Sequence, residues 1–280
     1  MNVELTDERI LILADRFSME HAEGRAWTRR MDAFGTLAKM SGFLKQPKDD
    51  EFEIAYRERR LQPFWRIACS SVQAYERKRE YSINVAAEVQ SVVLGGETRA
   101  VTGSKVQVSG QEHCREEHRK EVFFDGLTKE QKPALAEYLT HAAAEASPEM
   151  LAALAAEGTI VVPAEARAST LVREVVAGAI GRIDADLVTE ETVRLEAIEL
   201  YYRPVYAFRF RWQNKEAVVE FDALSGEAKA GGSTFEQYLG KLLEPHFLLD
   251  VSAEAANLFI PGANLAKFAI VKGIELSKRR

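Results

Sequence analysis

Large aromatic residues occupy every second position in one segment of the chain, namely Tyr206, Phe208, Phe210 and Trp212. The positions between them carry an alanine and two arginines. An alternation with a period of two is typical of a strand with one buried face. A polar break at residues 213–215 and a second apolar run at residues 217–221 follow. Together they predict an antiparallel hairpin that ends in a Ser225-Gly226 turn.

Three other segments place apolar residues at helical spacing. Between residues 170 and 180 the apolar positions are Leu171, Val172, Val175, Val176, Ala179 and Ile180. Between residues 27 and 38 they are Trp27, Met31, Phe34 and Ala38. Between residues 6 and 17 they are Ile10, Leu13, Ala14 and Phe17. These spacings predict one helix before the hairpin and two helices near the start of the chain.

The hairpin pattern occurs a second time, earlier in the chain. When the sequence around Pro63 is laid on the sequence around Pro204, Glu58 falls on Glu199 and the apolar strand positions coincide. The closing segments EVFFDGLTKE, which contains Asp125, and VVEFDALSGE also correspond. We interpret the two copies as a divergent internal duplication, with chance similarity between ordinary strands as the alternative. The first copy carries a strand-like insert between Pro63 and Asp125.

The segment at residues 169–229 resembles the PepSY domain. A helix precedes its strands, RPVYAFRF forms the middle strand, and VVEFDALSGE closes the last one. The family pattern is a Pro-Val-Tyr strand and a terminal Asp-Ala-x-Thr-Gly-Glu, so Ser225 stands in place of the threonine. Residues 51–140 would be a divergent second copy. The resemblance implies a domain that binds or restrains a partner, in a family generally found outside the cytoplasm or in membrane proteins.

The predicted fold class is α+β, with two related antiparallel sheet units and helices packed on them. We expect an N-terminal helical segment at residues 1–48 and a first sheet unit with its insert and following helix at 49–146. A second, PepSY-like unit follows at 147–245, and an amphipathic C-terminal helical tail at 246–280. Within this plan, Thr128 and Gln131 match a capping box, Ser147-Pro148 matches a helix start, and residues 159–163 match a brief strand.

Composition and charge narrow the function classes. The chain has 280 residues, a net charge of -6 and two cysteines. An excess of negative charge argues against a nucleic-acid binder, which usually needs a basic face. Two cysteines cannot form a disulfide framework, and the first thirty residues lack the pattern of a signal peptide. We therefore expect a cytoplasmic protein with reduced thiols.

One cluster of residues offers metal-binding chemistry, because His113, Cys114 and His118 lie close together in the sequence GQEHCREEHRKE. Imidazole and thiolate groups are natural zinc ligands, although a tetrahedral site needs a fourth donor. The alternative is a solvated charged segment. Cys69 falls on a buried strand parity and is expected in the core. The sequence contains no phosphate-binding glycine loop, serine-hydrolase elbow or zinc-protease helix motif, so no cofactor other than zinc is expected.

Two further sets of residues are candidate binding surfaces. The first is an aromatic cleft for a ligand or a partner, formed by Trp65, Tyr206, Phe208, Phe210 and Trp212. The alternative is that these residues are core. The second is the apolar side of the C-terminal tail, with Phe259, Leu265, Phe268, Ile270 and Ile274. This tail could dock on a partner, lie on an anionic membrane surface or fold back on the sheets.

The leading functional hypothesis is a non-catalytic protein-binding or adaptor protein of a bacterial-type cytoplasmic assembly, with peripheral membrane contact as one variant. It would use sheet edges or the tail to engage another protein, and edge-strand pairing into a homo-oligomer remains open. The competing hypothesis is an enzyme, or a receptor for a small molecule or a metal, with its site between the two sheet units. No catalytic residue is predicted.

Overall fold

The computed structural model describes residues 2–35 and 48–231. Its strands are β1 (Asn2–Glu4), β2 (Glu8–Leu13), β3 (Phe52–Asn84), β4 (Ser91–Leu94), β5 (Glu97–Ala100), β6 (Lys105–Asp125), β7 (Ala143–Ala146), β8 (Ile160–Val161), β9 (Leu187–Trp212), β10 (Lys215–Asp222) and β11 (Ala228–Ala230). Its α-helices are α1 (Met19–Ala33), α2 (Pro148–Ala156) and α3 (Ala168–Ala179), and shorter 3₁₀ segments lie at Asp49–Glu51 and Pro133–Thr140. This mixture of helices and sheets confirms the α+β class.

Two long strands, β3 and β9, hold most of the sheet together. A nine-stranded sheet contains every strand above except β4 and β5, which form a separate hairpin. Bonds from Arg203 to Gln62 (2.7 Å) and from Arg66 to Glu199 (2.8 Å) show that β3 and β9 run antiparallel. On its other side β9 pairs with β10, β2 and β1, whereas β3 pairs with β6 and β8.

Residue contacts divide the chain into two units that interleave along the sequence. The smaller unit comprises Met1–Leu5, Ala68–Lys120 and Glu174–Glu196, and the larger unit comprises Thr6–Ile67, Glu121–Arg173 and Ala197–Arg280. Strands β3, β6 and β9 contribute to both units. The predicted division at residues 48, 146 and 245 stays a prediction.

The hairpin of β9 and β10 forms one hydrophobic cluster of the larger unit together with α1. The two strands pair as predicted, with Phe208 opposite Val219 and Tyr206 opposite Phe221. The aromatic side chains of Tyr206, Phe208 and Phe210 in β9 are buried in a cluster with Ala22 and Ala26, two small residues of α1. Small residues on the helix let it approach the large rings of the sheet closely. The predicted hairpin is confirmed, and the predicted helix is confirmed at Trp27 and Met31, with Phe34 as its C-cap, whereas Ala38 lies outside the described residues.

The helix predicted over residues 6–17 is wrong, because residues 8–13 form strand β2. This strand pairs parallel to β9, with Ile10 opposite Leu200 and Ile12 opposite Tyr202, and antiparallel to β7. The segment ERILIL is rich in residues that favour strands, and neighbours on both sides satisfy its backbone groups. The described part of the predicted N-terminal helical segment therefore contains one α-helix, α1, instead of two.

The middle of the chain agrees with the sequence predictions in part. The predicted apolar face of α3 is buried from Leu171 to Ala179. The N-cap of α2 is Ser147, which accepts a bond from the amide of Met150, and β8 is the predicted brief strand. The capping box at Thr128 is wrong, because these residues form the turn after β6 and Gln131 bridges to Phe124.

The smaller unit contains β4 and β5, which lie in the predicted insert between Pro63 and Asp125. Strands β4 and β5 pair across Gly95-Gly96, and both glycines have positive φ values, 57° and 86°. A two-residue hairpin turn of this kind requires positive φ at both positions, which glycine adopts without strain. The predicted strand-like character of the insert is confirmed.

The turns after β6 and β10 have the same hydrogen bonds. Asp125 Oδ1 accepts from the amides of Leu127 and Thr128, and Asp222 Oδ1 accepts from those of Leu224 and Ser225, all at 2.9–3.1 Å. The first turn also bonds to the carbonyl of Pro63 and the second to that of Pro204. Both closing segments therefore fold as side-chain-capped turns anchored on a proline of a long strand.

The starts of α1 and α3 also match. The amides of residues 16 and 17 donate to the carbonyl of Ala223, and those of residues 165 and 166 donate to the carbonyl of Gly126. Trp65 Nε1 donates to the carbonyl of Ala166 at 3.0 Å, whereas the Tyr206 hydroxyl donates to the carbonyl of Phe17 at 3.1 Å. The start of α1 is thus bonded to the turn after β10 and to β9, and the start of α3 is bonded to the turn after β6 and to β3.

Candidate functional site

The aromatic residues predicted to line a cleft are buried. Tyr206, Phe208, Phe210 and Trp212 lie on one face of β9 beside α1, and Trp212 also stacks on Phe52 at 5.5 Å between ring centroids. Trp65 lies on the other long strand and is 3% exposed. These residues are therefore packed as core residues, which is the alternative that the sequence left open. Ligand binding by this set stays a prediction.

The structure distributes the predicted metal-binding residues over both faces of β6. Successive side chains of a strand point to opposite faces, so His113 lies opposite Cys114 and His118. His113 faces Glu76 at 3.2 Å, whereas His118 contacts Glu116 at 3.2 Å. The described residues contain no group of three or more His, Cys, Asp and Glu side chains placed to hold a metal ion. Zinc binding at this cluster stays a prediction.

The tail residues Phe259, Leu265, Phe268, Ile270 and Ile274 lie outside the described residues. In the described part of the chain, no helix is both long and apolar enough to span a bilayer. Cys69 is fully buried, as predicted, and burial raises the pKa of its thiol.

An open depression of about 350 Å³ lies beside α1 and is lined by Glu20, Glu23, Gly24 and Trp27. Hydrogen bonding from Ser18 lowers the pKa of Glu20, and bonding from Arg57 lowers that of Glu23. Carboxylates with lowered pKa values are ionised at neutral pH and poorly suited to donate a proton in catalysis. The depression therefore has the character of a hydrated, acidic surface.

Sequence reasoning missed a buried network of charges in the larger unit. Arg60 donates to Glu58 and to Glu220, and the side chains of Arg60 and Glu58 are only 3% and 4% exposed. Nearby in the sheet, Arg203 and Tyr138 both donate to Asp222. The parity of β3 carried the signal, because Glu58 and Arg60 share the strand face of the buried residues Phe52 and Phe64.

The pKa shifts in this network follow from burial and from the neighbouring charges. Burial raises the pKa of Glu220 more than the attraction of Arg60 lowers it. Burial also opposes ionisation of Asp222, yet Arg203, Tyr138 and two turn amides together hold its pKa below the usual value. Burial raises the pKa of Tyr138 to about 12, and its bond to Asp222 adds to the effect. The acids bind cations of their own chain, as structural ion pairs do.

The outer edge of β6 has no partner strand among the described residues. Strand β6 is 21 residues long, and its described partner is β3 alone. Contacts between Ser82 and Gln107, Arg77 and Glu112, and Pro63 and Gly126 keep one antiparallel register along both strands. The strand thus extends along β3 without a bulge.

The backbone of β6 alternates between bonding to β3 and pointing away from it. The amide of Gly126, an even-numbered position, donates to Pro63 of β3. On the opposite side, Phe123 accepts from the amide of Lys132, and the amide of Asp125 donates to Glu130. In a regular antiparallel strand the outward groups therefore belong to odd-numbered residues. Glu117 and Arg119 thus present amide and carbonyl groups at the outer edge.

The side chains along this edge are charged and exposed. Glu117, His118 and Arg119 are 66%, 51% and 74% exposed. Glu116 accepts a hydrogen bond from the hydroxyl of Tyr75 at 2.6 Å, and this bond lowers the pKa of Glu116 and raises that of Tyr75 to about 12. The carboxylate is ionised at neutral pH, so the edge carries charges of both signs.

These positions of β6 were considered from the sequence only as metal ligands or as a solvated segment. The neighbouring strand and its register could not be derived from the sequence of β6. Comparisons of the chain with models of known protein families, with curated proteins and with solved structures find no match.

Proposed function

We propose that this chain is a non-catalytic protein-interaction protein that binds an extended protein segment along the outer edge of β6. The observation that carries the proposal is the row of outward backbone groups between residues 111 and 121, for which the described residues supply no partner strand. A strand edge of this kind is a template for an added strand, whose main chain supplies the hydrogen bonds.

The length and composition of β6 support this role. Strands in globular proteins usually have about 3–10 residues, and exposed edges are normally kept short or covered. Strand β6 is much longer, and its edge carries charges of both signs that can select a partner. Charged residues on the edge also oppose unselective aggregation. The edge is therefore suited to a specific partner.

The resemblance to PepSY domains agrees with a binding role, since that family is thought to bind or restrain partners. We also propose that the two sheet copies arose by internal duplication. Support comes from the matched turns at Asp125 and Asp222 and from the matched bonds of Trp65 and Tyr206. Docking through the C-terminal tail, at a membrane or on a protein, is a separate proposal that rests on the sequence.

Capture of partners with two variants of Glu117 tests the proposed edge. Glu117→Pro removes an outward amide without removing a bond to β3, whereas Glu117→Ala keeps the amide. We expect the tagged wild-type chain and Glu117→Ala to capture the same protein from the native cell in stoichiometric amounts, and Glu117→Pro to lose it. Equal capture by Glu117→Pro, at an unchanged melting temperature, would overturn the proposal.

A further inference from the structure

The charged residues between Arg115 and Glu121 make the outer edge of β6 complementary to itself. We propose that the strand that pairs with this edge is β6 of a second copy, antiparallel, with the two-fold axis of the dimer at His118. This inference rests on the proposed function and names its partner. Two observations support this inference: the backbone allows only certain registers between two copies of β6, and each register brings a different set of charges together.

The backbone limits the registers that a symmetric pair can adopt. Outward groups belong to odd-numbered residues, so odd residues of one copy must face odd residues of the other. A two-fold axis at His118 satisfies this condition and places Glu117 opposite Arg119 of the second copy. Because this axis stands perpendicular to the sheet, each face of the sheet in one copy continues as the same face in the second copy. Glu116 and Lys120 then face each other from adjacent non-hydrogen-bonded positions.

This register brings only opposite charges together among residues 115–121. Each of its three pairs occurs twice by symmetry: Glu117 with Arg119, Glu116 with Lys120, and Arg115 with Glu121. His118 faces its own copy across the axis, at a position where the side chains of opposed strands are close.

Neighbouring registers place like charges opposite each other. An axis at Glu117 sets Arg115 against Arg119, and an axis at Arg119 sets Glu117 against Glu121. An axis at Glu116 sets that residue against itself. Like charges directly opposite in a sheet are destabilising, so the sequence of this stretch selects the axis at His118.

The available length of the edge matches this register. Toward its end, the outer side of β6 is already occupied, because the amide of Lys132 donates to the carbonyl of Phe123. Residues 115–121 precede that point and are centred on His118. Glu117 and Arg119 already contact Arg115 and Glu196 within their own chain. These are exposed surface pairs, and their side chains can accept a further partner.

Charge reversal in the purified full chain tests the register. Glu117→Arg sets an arginine opposite Arg119 of the second copy, and Arg119→Glu sets a glutamate opposite Glu117; each like-charge pair occurs twice by symmetry. Each single variant should weaken dimerisation at least about tenfold, since attraction becomes repulsion at two symmetric positions. Sedimentation velocity over a range of protein concentrations measures the dissociation constant. Glu88→Arg, the same charge change in an exposed turn, should leave it unchanged.

Two combinations separate this register from a general effect of charge. An equimolar mixture of Glu117→Arg and Arg119→Glu should form a heterodimer, because each arginine then meets a glutamate. The double variant E117R/R119E should form a homodimer again. That variant does not restore the bond from Arg119 to Glu196 within the chain. Recovery therefore reports contacts between copies, and melting temperatures check that every variant folds.

The inference is overturned if the wild-type chain is monomeric at every concentration, or if the mixture and the double variant fail to recover the dimer. Those outcomes leave the proposed function testable, because the Glu117→Pro capture experiment detects other proteins at the same edge. Equal capture by Glu117→Pro would overturn the proposed function. A monomeric wild type, combined with loss of capture in Glu117→Pro, would overturn only the inference that the partner is a second copy of this chain.

Discussion

At the residue scale, Asp222 and Asp125 occupy the same turn position in different surroundings. Both cap a turn through Oδ1, but Asp222 also binds Arg203 and Tyr138, whereas Asp125 binds Lys132 at 2.7 Å. The Asp222 side chain is 11% exposed, and that of Lys132 is 42% exposed. The same substitution at the two sites therefore separates the contribution of the capped turn to stability from the contribution of the buried ion pair.

Asp222→Asn should lower the free energy of unfolding at pH 7 by about 2 kcal/mol, because it removes a charge-assisted bond from a buried site. Asp125→Asn is the matched control and should lower it by about 1 kcal/mol or less, since its partner is half solvated. Urea unfolding of both variants measures the difference. Equal effects would show that the buried pair with Arg203 contributes little.

The stability contributed by Asp222 should depend on pH. Its pKa in the folded chain lies below the usual value, so the carboxylate stabilises the fold above the unfolded-state pKa. That contribution is lost as the pH falls through the folded-state pKa. Unfolding measured from neutral to acidic pH should therefore show a shrinking difference between wild type and Asp222→Asn. A difference that is constant over this range would contradict the assignment.

Gly226 has a φ of +77°, and a Cβ at this position would lie 2.9 Å from the Phe17 ring. Gly226→Ala should therefore lower the free energy of unfolding by about 1–2 kcal/mol. Lys129 holds the corresponding position of the other turn at φ +65° without being glycine. Lys129→Ala, the control, should change stability by less than about 0.5 kcal/mol. Thermal melting of both variants would contradict this account if their shifts were equal.

Residue patterns predicted the aromatic parity of β9 and the two aspartate turns, because both features depend on local sequence. They could not predict that Trp65 and Tyr206 donate to matched backbone carbonyls, since those carbonyls lie far away in the sequence. His113, Cys114 and His118 show the same limit. Their spacing fits a helix or a strand, and the observed strand sends His113 to the opposite face.

At the element scale, β2 shows how neighbours override spacing. Its apolar residues fit a helical stripe, but a six-residue segment gains more backbone bonds between β9 and β7 than it would in an isolated helix. The aromatic alternation that ends at Trp212 covers only part of β9 for a related reason. Outside the apolar segment this strand carries charged residues, and its partner strands supply a continuous ladder that the pattern alone does not reveal.

Helix α2 offers a test of an element that the sequence predicted well. Ser147→Ala removes the side-chain bond to the amide of Met150 and should lower the free energy of unfolding by about 1 kcal/mol. Ser147→Asp is the matched control and should retain most of the stability, because aspartate also caps this position. Urea unfolding would contradict the assignment if alanine and aspartate had the same effect.

At the scale of the whole molecule, the similarity between the segments around Pro63 and Pro204 was visible in the sequence, but the contacts of the two helix starts were not. The start of α1 bonds to the turn after β10 at Ala223, and the start of α3 bonds to the turn after β6 at Gly126. Periodicity reports which face of an element is buried and does not report which element covers it. The outer edge of β6 was not predicted for the same reason, because an edge is defined by the strand order of the complete sheet.

The proposed dimer predicts a covalent link at its axis. In a Cys114→Ser background, His118→Cys should form an intermolecular disulfide on mild oxidation. Opposed Cα atoms at such positions are about 4.5 Å apart, within the span of a disulfide. Glu88→Cys in the same background is the control and should remain largely monomeric on a non-reducing gel. Equal cross-linking of the two variants would contradict the axis at His118.

The most direct test of an added strand at β6 is residue-resolved amide hydrogen exchange in the wild-type chain over a range of concentrations. The inward amides of Glu116 and His118 should be protected at every concentration, because they bond to β3. The outward amides of Glu117 and Arg119 should exchange rapidly in dilute protein and become protected as the concentration rises. Rapid exchange of these two amides at every concentration, and in the presence of any captured protein, would contradict strand pairing at this edge.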